Sequence, residues 1–471
     1  MNKIKIFKSG LLVAGVALLG LASCTKKFID KNPNDSLAPG IALGDATQLG
    51  VALNGAYAEL RSVSLWGRDF EITGDLSADN TFVEVKNSGR YLNQFNYNFT
   101  SADGVVEGDW TAAYAGILRC NNIIDATVTG ADDIKAQALG IRAALYLKLI
   151  MLYARPYTDN PDALGVPLIL HYSPSFLPTR ATVKAVYTQI VTDLKTAMTT
   201  APAYSLSTLI SKYAIEGLLA RAYFYMGDYT DAKTAALDVI NNGGFKLANT
   251  LTAYKAFWGN PAGKSDQVEV LFEVEEDPVN NLSSDDLGGM YYGGYQDVYA
   301  SQQLVSLYSP TDIRASLLMA GNTKSGAPAT IVTKYPNATN ADKDNPKVIR
   351  LAELYLIAAE SSLPANEPDA LKYLNLLMAA RDPSTTYAST GAQLLSDIVT
   401  ERRKELAFEG DRLYDLNRLK MDINRGATLN LGSIPGLATI PYSDYRRIMA
   451  VPLNEIQSNA NIAGQQNPGY K

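Results

Sequence analysis

The chain of 471 residues contains only two cysteines, one histidine and three tryptophans. So few cysteines exclude a disulfide scaffold, a structural zinc site and an iron–sulfur cluster, and a single histidine leaves little for histidine-based catalysis. Lysine and arginine (42) are fewer than aspartate and glutamate (48), and the net charge of −6 argues against nucleic-acid binding. Glycine and proline occur at ordinary frequencies, which excludes collagen-like and low-complexity chains. We therefore expect no cofactor and no bound metal ion.

The beginning of the chain is typical of an export signal. Three lysines precede an apolar run at residues 10–22, which at about 1.5 Å per residue is too short to span a bilayer comfortably. The run ends in Leu-Ala-Ser-Cys, a sequence similar to a bacterial lipobox, with Cys24 in the last place. We expect residues 1–23 to be a lipoprotein signal peptide, Cys24 to carry a lipid anchor, and residues 24–44 to form a tether.

From residue 45 onward, apolar side chains recur at steps of three and four residues, which predicts amphipathic helices that each bury one face. In residues 214–241 two such helices flank a Gly-Asp turn, with alanines spaced as in a tetratricopeptide-like hairpin. Looser copies occur at 349–381 and at 135–153, the latter with a partner helix at 182–200. The sequence predicts a mainly α-helical scaffold of tetratricopeptide-like hairpins with long irregular insertions and few short strands.

Two stretches break the helical pattern. Residues 251–347 are rich in glycine, asparagine, aspartate, proline and tyrosine, with one strand-like run at 268–274, and residues 421–471 are similarly irregular. We divide the folded part into an N-terminal helical region (45–250) and a loop-rich C-terminal region (251–471) that together form one globular unit. Binding sites tend to lie on long irregular segments carried by a rigid frame.

Several motifs, in order along the chain, resemble those of the SusD/RagB family of outer-membrane lipoproteins. They are Phe-Ile-Asp at 28–30, Trp-x₃-Tyr-x₂-Ile-x₃-Asn at 110–121, Gly-Val-Pro-Leu at 165–168, the charged block at 401–412 and Asn-Pro-Gly-Tyr at 467–470. The resemblance covers essentially the whole chain after the lipobox.

This resemblance implies a protein on the outer face of the outer membrane, anchored through the lipid on Cys24. Such a protein captures a nutrient without catalysis. The nutrient is usually an oligosaccharide and in some members a peptide. The resemblance also implies a partner, a SusC-like TonB-dependent transporter, on which the protein acts as a lid. No nucleic-acid partner is expected.

The block at residues 401–412 is the most charged stretch, and its carboxylates recur at four-residue steps. Two carboxylates on one helix face could serve glycoside hydrolysis. The interleaved arginines, however, favour ionised and paired carboxylates over a protonated general acid. We interpret the block as part of a structural ion-pair network, whose members are Glu401, Arg402, Glu405, Glu409, Arg412 and Asp415.

The aromatic residues indicate where a sugar could bind. A sugar presents an apolar C–H face and a rim of hydroxyl groups, so an exposed ring beside polar side chains suits it. Most tyrosines fall on helical stripes and belong to the core. The exceptions lie in segment 288–297, where glycines disfavour a stiff element, in the gap between the first two predicted helices, and at Trp258. The candidate ligand-binding residues are Asp79, Asn80, Phe82, Arg90, Tyr91, Trp258, Tyr291, Tyr292 and Tyr295.

Two alternative functions, from other functional classes, stay open for this sequence. A helical polysaccharide hydrolase would use acidic loop residues such as Asp75, Asp79 or Asp285, and it would form product from a glycan. A pure interaction scaffold would hold a protein in its tetratricopeptide-like groove, and its loops would bind nothing small. Replacing the three candidate tyrosines of segment 288–297 by alanine would then leave the binding of small ligands unchanged.

Overall fold

The computed structural model describes residues 43–173, 175–363, 365–426 and 434–470. The predicted signal peptide (1–23), the lipobox Cys24 and most of the tether (24–44) lie outside the described residues. The helices are α1 (Ala46–Leu60), α2 (Asp69–Leu76), α3 (Leu92–Asn96), α4 (Gly104–Asp125), α5 (Asp132–Tyr153), α6 (Val183–Met198), α7 (Lys212–Met226), α8 (Tyr229–Asn242), α9 (Leu251–Gly259), α10 (Leu287–Tyr291), α11 (Gln302–Val305), α12 (Leu351–Ser362), α13 (Glu367–Arg381), α14 (Gly391–Glu405), α15 (Arg412–Arg418) and α16 (Leu453–Ser458). The strands are β1 (Thr81–Val83), β2 (Leu164–Pro167), β3 (Arg180–Thr182), β4 (Val270–Glu273), β5 (Val298–Ala300), β6 (Leu318–Asn322), β7 (Pro328–Val332), β8 (Lys347–Arg350), β9 (Ile423–Asn424) and β10 (Thr439–Ile440).

Helical hairpins form the frame, and the clearest of them is the pair α7 and α8. Gly227 adopts a positive φ of 76° that ends α7, and the Asp228 side chain then caps α8. Ala220 and Ala232 are fully buried, which lets the two helices approach closely. The hairpin expected in residues 214–241 is therefore confirmed.

The other two expected hairpins are also present. Helices α12 and α13 pack together within residues 349–381, and α5 packs against α6. Helix α8 packs against α12, although the whole insertion 243–350 separates them in sequence. One apolar core runs through this frame and includes side chains from Leu49 to Ile462. The mainly α-helical, tetratricopeptide-like architecture is thus confirmed.

Helix α5 has the length and apolar composition of a membrane-spanning helix. Its apolar stretch is entirely buried inside the protein, where α5 packs against both α4 and α6. Side chains that are already covered by protein have no surface left for lipid, so α5 is the central helix of the core.

The insertion builds a second apolar core around a small antiparallel sheet, which the sequence pattern does not predict. The strand order is β1-β5-β7-β6, and β1 pairs with β5 so that Phe82 lies opposite Tyr299. These two rings stack with their centroids 5.7 Å apart. The strand-like run at 268–274 contains β4, which pairs with β8 instead, and α12 begins directly after β8.

Helix α2 is held against the segment that precedes α15 by a close backbone crossing. A Cβ atom on Gly74 would overlap the carbonyl oxygen of Gly410, and Gly410 has a positive φ of 74°. The backbone N–H of Gly410 donates to Asp75 at 2.8 Å. This crossing fixes the position of α2.

Candidate functional site

Two loops that are distant in sequence bring together a half-exposed group of charged and aromatic side chains. One loop, residues 85–91, follows β1, and the other, residues 283–296, surrounds α10. We call the group the Arg90–Tyr295 patch; its members are Arg90, Asp285 and Tyr295, and the buried Arg68, which precedes α2, pairs with Asp285 from below.

A shared carboxylate organises the patch. The guanidinium of Arg90 lies 3.7 Å from the centroid of the Tyr295 ring, and its Nη2 donates to the Tyr295 hydroxyl at 2.7 Å. The same Nη2 lies 3.3 Å from Oδ1 of Asp285, and Nη1 of Arg68 donates to that oxygen at 2.9 Å. Asp285 Oδ2 accepts no hydrogen bond from the described residues, and the side chains of Asp285 and Arg90 are 43% and 32% exposed. The patch therefore offers an unused acceptor beside an aromatic ring.

Buried groups hold Arg68 in place beneath the patch. Its Nε donates to Asp69 at 3.2 Å and contacts the hydroxyl of Tyr91, which itself donates to Asp69. Burial raises the pKa of Asp69, and burial together with the Asp69 charge raises the pKa of Tyr91 well above its ordinary value. The phenol consequently stays protonated and fixes the position of the Arg68 guanidinium.

Asp297 ties the two loops of the patch together. This buried carboxylate accepts from the backbone N–H of Ser88 at 3.0 Å on one side and from Lys324 at 2.7 Å on the other. Lys324, in the turn between β6 and β7, also donates to the carbonyl of Tyr295 at 2.7 Å. The β6–β7 hairpin thus sets the distance between the ring and the loop that carries Arg90.

The structure corrects the expectation that Trp258 and Tyr291 are surface rings. Trp258 lies on α9 with 2% of its surface exposed, packed edge to face on Phe257 and covered by the ammonium of Lys334 at 4.3 Å from the ring centroid. Tyr291 lies on α10, is fully buried and stacks on Tyr335. Both rings sit on short helices whose apolar faces fill the second core, so neither ring is accessible to solvent.

The glycines of segment 288–297 allow close packing rather than flexibility, contrary to expectation. A Cβ atom on Gly289 would overlap the carbonyl oxygen of Ser284, so only glycine lets the two backbones meet there. The close contact lets α10 form and buries Tyr291. Tyr292 and Tyr295 follow the helix and remain half-buried at the surface.

Asp79, Asn80, Phe82 and Tyr91 are also buried, which corrects the exposure expected for them. Both carboxylate oxygens of Asp79 accept from Arg412, at 2.7 and 3.0 Å. The ring of Phe82 is stacked within the sheet, and the hydroxyl of Tyr91 is bonded in the group below the patch. Asn80 and Tyr91 are enclosed, whereas Asp79 and Phe82 lie at the wall of a cavity of about 230 Å³ with little of their surface exposed. Of the nine candidate residues, Arg90 and Tyr295 meet at the surface, while Tyr292 is half-buried and packs against the second core.

The charged block at residues 401–412 forms buried ion pairs. The pairs are Glu401 with Arg314 and Lys404, Arg402 with Glu353 and Asp415, Glu405 with Arg314, Arg350 and Arg381, Glu409 with Lys334 and Arg350, and Arg412 with Asp79. Burial alone would raise the pKa of Glu405, but the surrounding guanidinium groups outweigh burial and hold that pKa well below its ordinary value. A carboxylate held ionised cannot serve as the protonated acid of glycoside hydrolysis.

The three acidic residues considered for hydrolysis have different surroundings. Asp75 is fully buried, and burial raises its pKa to about 7. Asp79 is paired with Arg412, and Asp285 is the one of the three that reaches the surface. Among the described residues, no group of three or more histidine, cysteine, aspartate or glutamate side chains is placed to hold a metal ion.

Sequence reasoning missed the most exposed aromatic rings of the described chain. Tyr172, 57% exposed, and Phe176 lie in the loop between β2 and β3, and Tyr445 lies in the C-terminal region. The first two fall in a serine- and proline-containing stretch without a helical stripe, which is the signal that could have marked them. They lie outside the Arg90–Tyr295 patch, and Tyr172 serves below as a control.

Two family profiles match the chain. The profile described as "starch-binding associating with outer membrane" matches residues 27–224, and that of the SusD family matches residues 319–470. Among curated proteins, SusD-like protein P2 of Formosa agariphila is 29% identical over 519 aligned positions, which cover 97% of this chain and 98% of that protein.

Solved structures of SusD-like proteins also match this chain. A SusD superfamily protein from Bacteroides thetaiotaomicron superposes with a TM-score of 0.81 at 28% identity, covering 90% of this chain and all of that chain. A SusD-like carbohydrate binding protein from Bacteroides vulgatus superposes with a TM-score of 0.77 at 22% identity, covering 88% and 97% of the two chains. The second likeness concerns the fold alone.

Proposed function

The chain belongs to the SusD family, and from this premise we propose that it is a non-catalytic binding protein that captures a glycan at the Arg90–Tyr295 patch. The observation that carries the proposal is that Arg90, at the surface, donates hydrogen bonds to both Tyr295 and Asp285. The description of the N-terminal family profile, starch-binding, supports a glycan over other nutrients.

The chemistry of the patch suits a sugar. An aromatic ring can pack on the C–H face of a pyranose while neighbouring charged groups exchange hydrogen bonds with its hydroxyls. Asp285 Oδ2 is free to accept from a hydroxyl, and the Nε and Nη1 atoms of Arg90 donate no hydrogen bond to the described residues. Charge-assisted hydrogen bonds of this kind are stronger than those between neutral groups.

The arrangement of acids supports binding without turnover. Glycoside hydrolysis uses two carboxyl groups that flank the scissile bond, one of them protonated. At the patch, Asp285 is the exposed carboxylate, and the nearby Asp69 is buried and bonded to Arg68 and Tyr91. A single accessible carboxylate matches recognition of a hydroxyl group better than it matches acid–base catalysis.

We further propose that the protein is lipid-anchored through Cys24 at the outer face of the outer membrane and delivers its ligand to a SusC-like TonB-dependent transporter. The lipobox and the outer-membrane association in the profile description support this location. The Cys24→Ser variant should lose incorporation of labelled fatty acid and leave the membrane fraction. Retention of both in the variant would contradict the anchor.

The proposed function is tested by titrating the full chain with a panel of oligosaccharides and short peptides, followed by analysis of the mixtures for cleavage products. We expect saturable binding confined to one class of oligosaccharide, with the ligand recovered intact. Cleavage products would establish the hydrolase reading. Binding of peptides alone would make the protein a peptide-binding member of its family, and the absence of any small ligand would favour a protein-interaction scaffold.

A further inference from the structure

A second cleft, separate from the Arg90–Tyr295 patch, opens along the outer face of α14. Its volume is about 360 Å³, and residues of α14 form one wall while the first residue of α15 and the residues that follow that helix form another. The apolar lining includes Leu307, Leu395, Val399 and Met421. Leu395 and Met421 are exposed large apolar side chains, so the cleft presents apolar surface that the described part of the chain leaves uncovered.

Two arginines line the same cleft and share a single carboxylate. Arg412 donates through Nε and Nη2 to the two oxygens of Asp79, and Nη2 of Arg403 lies 3.4 Å from Asp79 Oδ2. Arg403 also donates through Nε to the side chain of Asn80 at 2.9 Å. The Nη1 atoms of both arginines donate no hydrogen bond to the described residues. Each guanidinium therefore keeps an unused donor.

The charge of the cleft is not balanced. Burial lowers the pKa of Arg403 to about 10, so this guanidinium remains cationic at neutral pH although it is largely withdrawn from water. The lining of the cleft contains no aspartate or glutamate. Asp79, which faces both guanidinium groups, carries one negative charge against the two positive charges of Arg403 and Arg412. A partly buried cation without a full counter-charge gains free energy when an anion binds beside it.

We infer that this cleft binds a small organic carboxylate with an apolar body. The carboxylate would accept from the Nη1 donors of Arg403 and Arg412, because guanidinium groups match carboxylate geometry and charge. The apolar body would lie against Leu395, Val399 and Met421 and remove their surface from water.

The test uses calorimetric titration of the full chain with hexanoate, and hexanamide serves as the uncharged probe of nearly the same shape. Ser396→Trp fills the cleft from an exposed position on α14 that lines it. Thr192→Trp, at an exposed position on α6, is the matched control. Arg403→Gln removes one of the two charges of the cleft. Because Arg403 also donates to Asn80, this substitution could disturb the structure around Asn80 as well. Ser396→Trp leaves that hydrogen bond in place and therefore tests the cleft independently.

We expect saturable binding of hexanoate, at least tenfold weaker binding of hexanamide, loss of binding in Ser396→Trp, and unchanged binding in Thr192→Trp. Arg403→Gln should weaken the binding of hexanoate at least fivefold. The inference is overturned if the unaltered chain does not bind hexanoate saturably, if the two probes bind equally, or if Ser396→Trp binds as the unaltered chain does. These outcomes are independent of glycan binding at the Arg90–Tyr295 patch.

Discussion

The guanidinium of Arg90 lies over the ring of Tyr295, 3.7 Å from its centroid, although 205 positions separate the two residues in sequence. A third residue, Asp285, accepts from Arg90 and from Arg68 and so ties Arg90 to the buried Arg68 below it. The ring, the cation and the carboxylate are each half-exposed, and buried groups below fix their positions. The proposed glycan site consists of these three residues, Arg90, Asp285 and Tyr295.

Replacing Asp285 by asparagine should weaken glycan binding. The substitution removes the charge that holds both guanidinium groups and weakens the free acceptor that we assign to a sugar hydroxyl. We expect the dissociation constant of the bound oligosaccharide to rise about tenfold, which corresponds to about 1.4 kcal/mol. Calorimetric titration measures the change, and Asp162→Asn, at an exposed position elsewhere, is the control. Equal affinity for the Asp285 variant and the control would remove Asp285 from the site.

Replacing Arg381 by methionine should destabilise the fold strongly. Arg381 is fully buried and pairs with Glu405 at 3.0 Å and with Glu269 at 2.7 Å, so its loss leaves two buried carboxylates short of a partner. Removing one partner of a buried pair typically costs about 3–5 kcal/mol. Arg119→Met, where Arg119 is 53% exposed and paired with Glu59, should cost less than about 1 kcal/mol. Urea unfolding compares the two, and similar losses would show that burial is not the deciding factor.

Gly74→Ala should destabilise the protein, whereas Gly50→Ala should not. Both glycines are helical, but a Cβ atom at position 74 overlaps the carbonyl oxygen of Gly410, while one at position 50 meets no atom within 4 Å. We expect Gly50→Ala to stabilise α1 by about 0.5–1 kcal/mol and Gly74→Ala to cost more than about 2 kcal/mol. Thermal unfolding measures both. A Gly74 variant as stable as the unaltered chain would contradict the close crossing of α2.

Glu71 should make the fold less stable as the pH rises. Burial raises the pKa of Glu71 to about 8 even though Lys148 lies 3.6 Å away, whereas an unfolded glutamate titrates near about 4.3. Because the folded-state pKa is the higher one, the stabilising contribution is fully present below the unfolded pKa and is lost as the pH rises to about 8.

The pH dependence is checked with Glu71→Gln, which does not titrate. The free energy of unfolding of this variant, relative to the unaltered chain, should increase between pH 5 and pH 8, by at most about 1.4 kcal/mol per pH unit. Urea unfolding at a series of pH values measures it. Parallel curves for the two proteins would show that Glu71 does not hold a proton in the folded state.

The helical frame could be predicted from the sequence because its signals are local. Alanines such as Ala220 and Ala232 recur at helical spacing, and Gly227 marks the turn between their helices. The small sheet could not be predicted, because β1 and β5 have three residues each and show too little alternation to identify a strand. Their pairing depends on contacts between segments that are distant in sequence.

The site could be predicted only in part, for the same physical reason. Composition identified the segments that carry Arg90 and Tyr295, but it could not separate Tyr291 from Tyr295. Tyr291 is buried against Tyr335, a residue of another segment, whereas Tyr295 faces Arg90 at the surface. Whether a loop aromatic is exposed depends on tertiary packing, which leaves no periodic signal in the sequence.

The most direct test of the account is calorimetric titration of the Tyr295→Ala variant with the oligosaccharide that the unaltered chain binds. Tyr172→Ala, which removes a more exposed ring outside the patch, is the matched control. We expect the dissociation constant to rise at least tenfold for Tyr295→Ala, about 1.4 kcal/mol or more, and to stay unchanged for Tyr172→Ala. Unchanged affinity in Tyr295→Ala, or a loss in Tyr172→Ala instead, would contradict the assignment of the glycan site to the Arg90–Tyr295 patch.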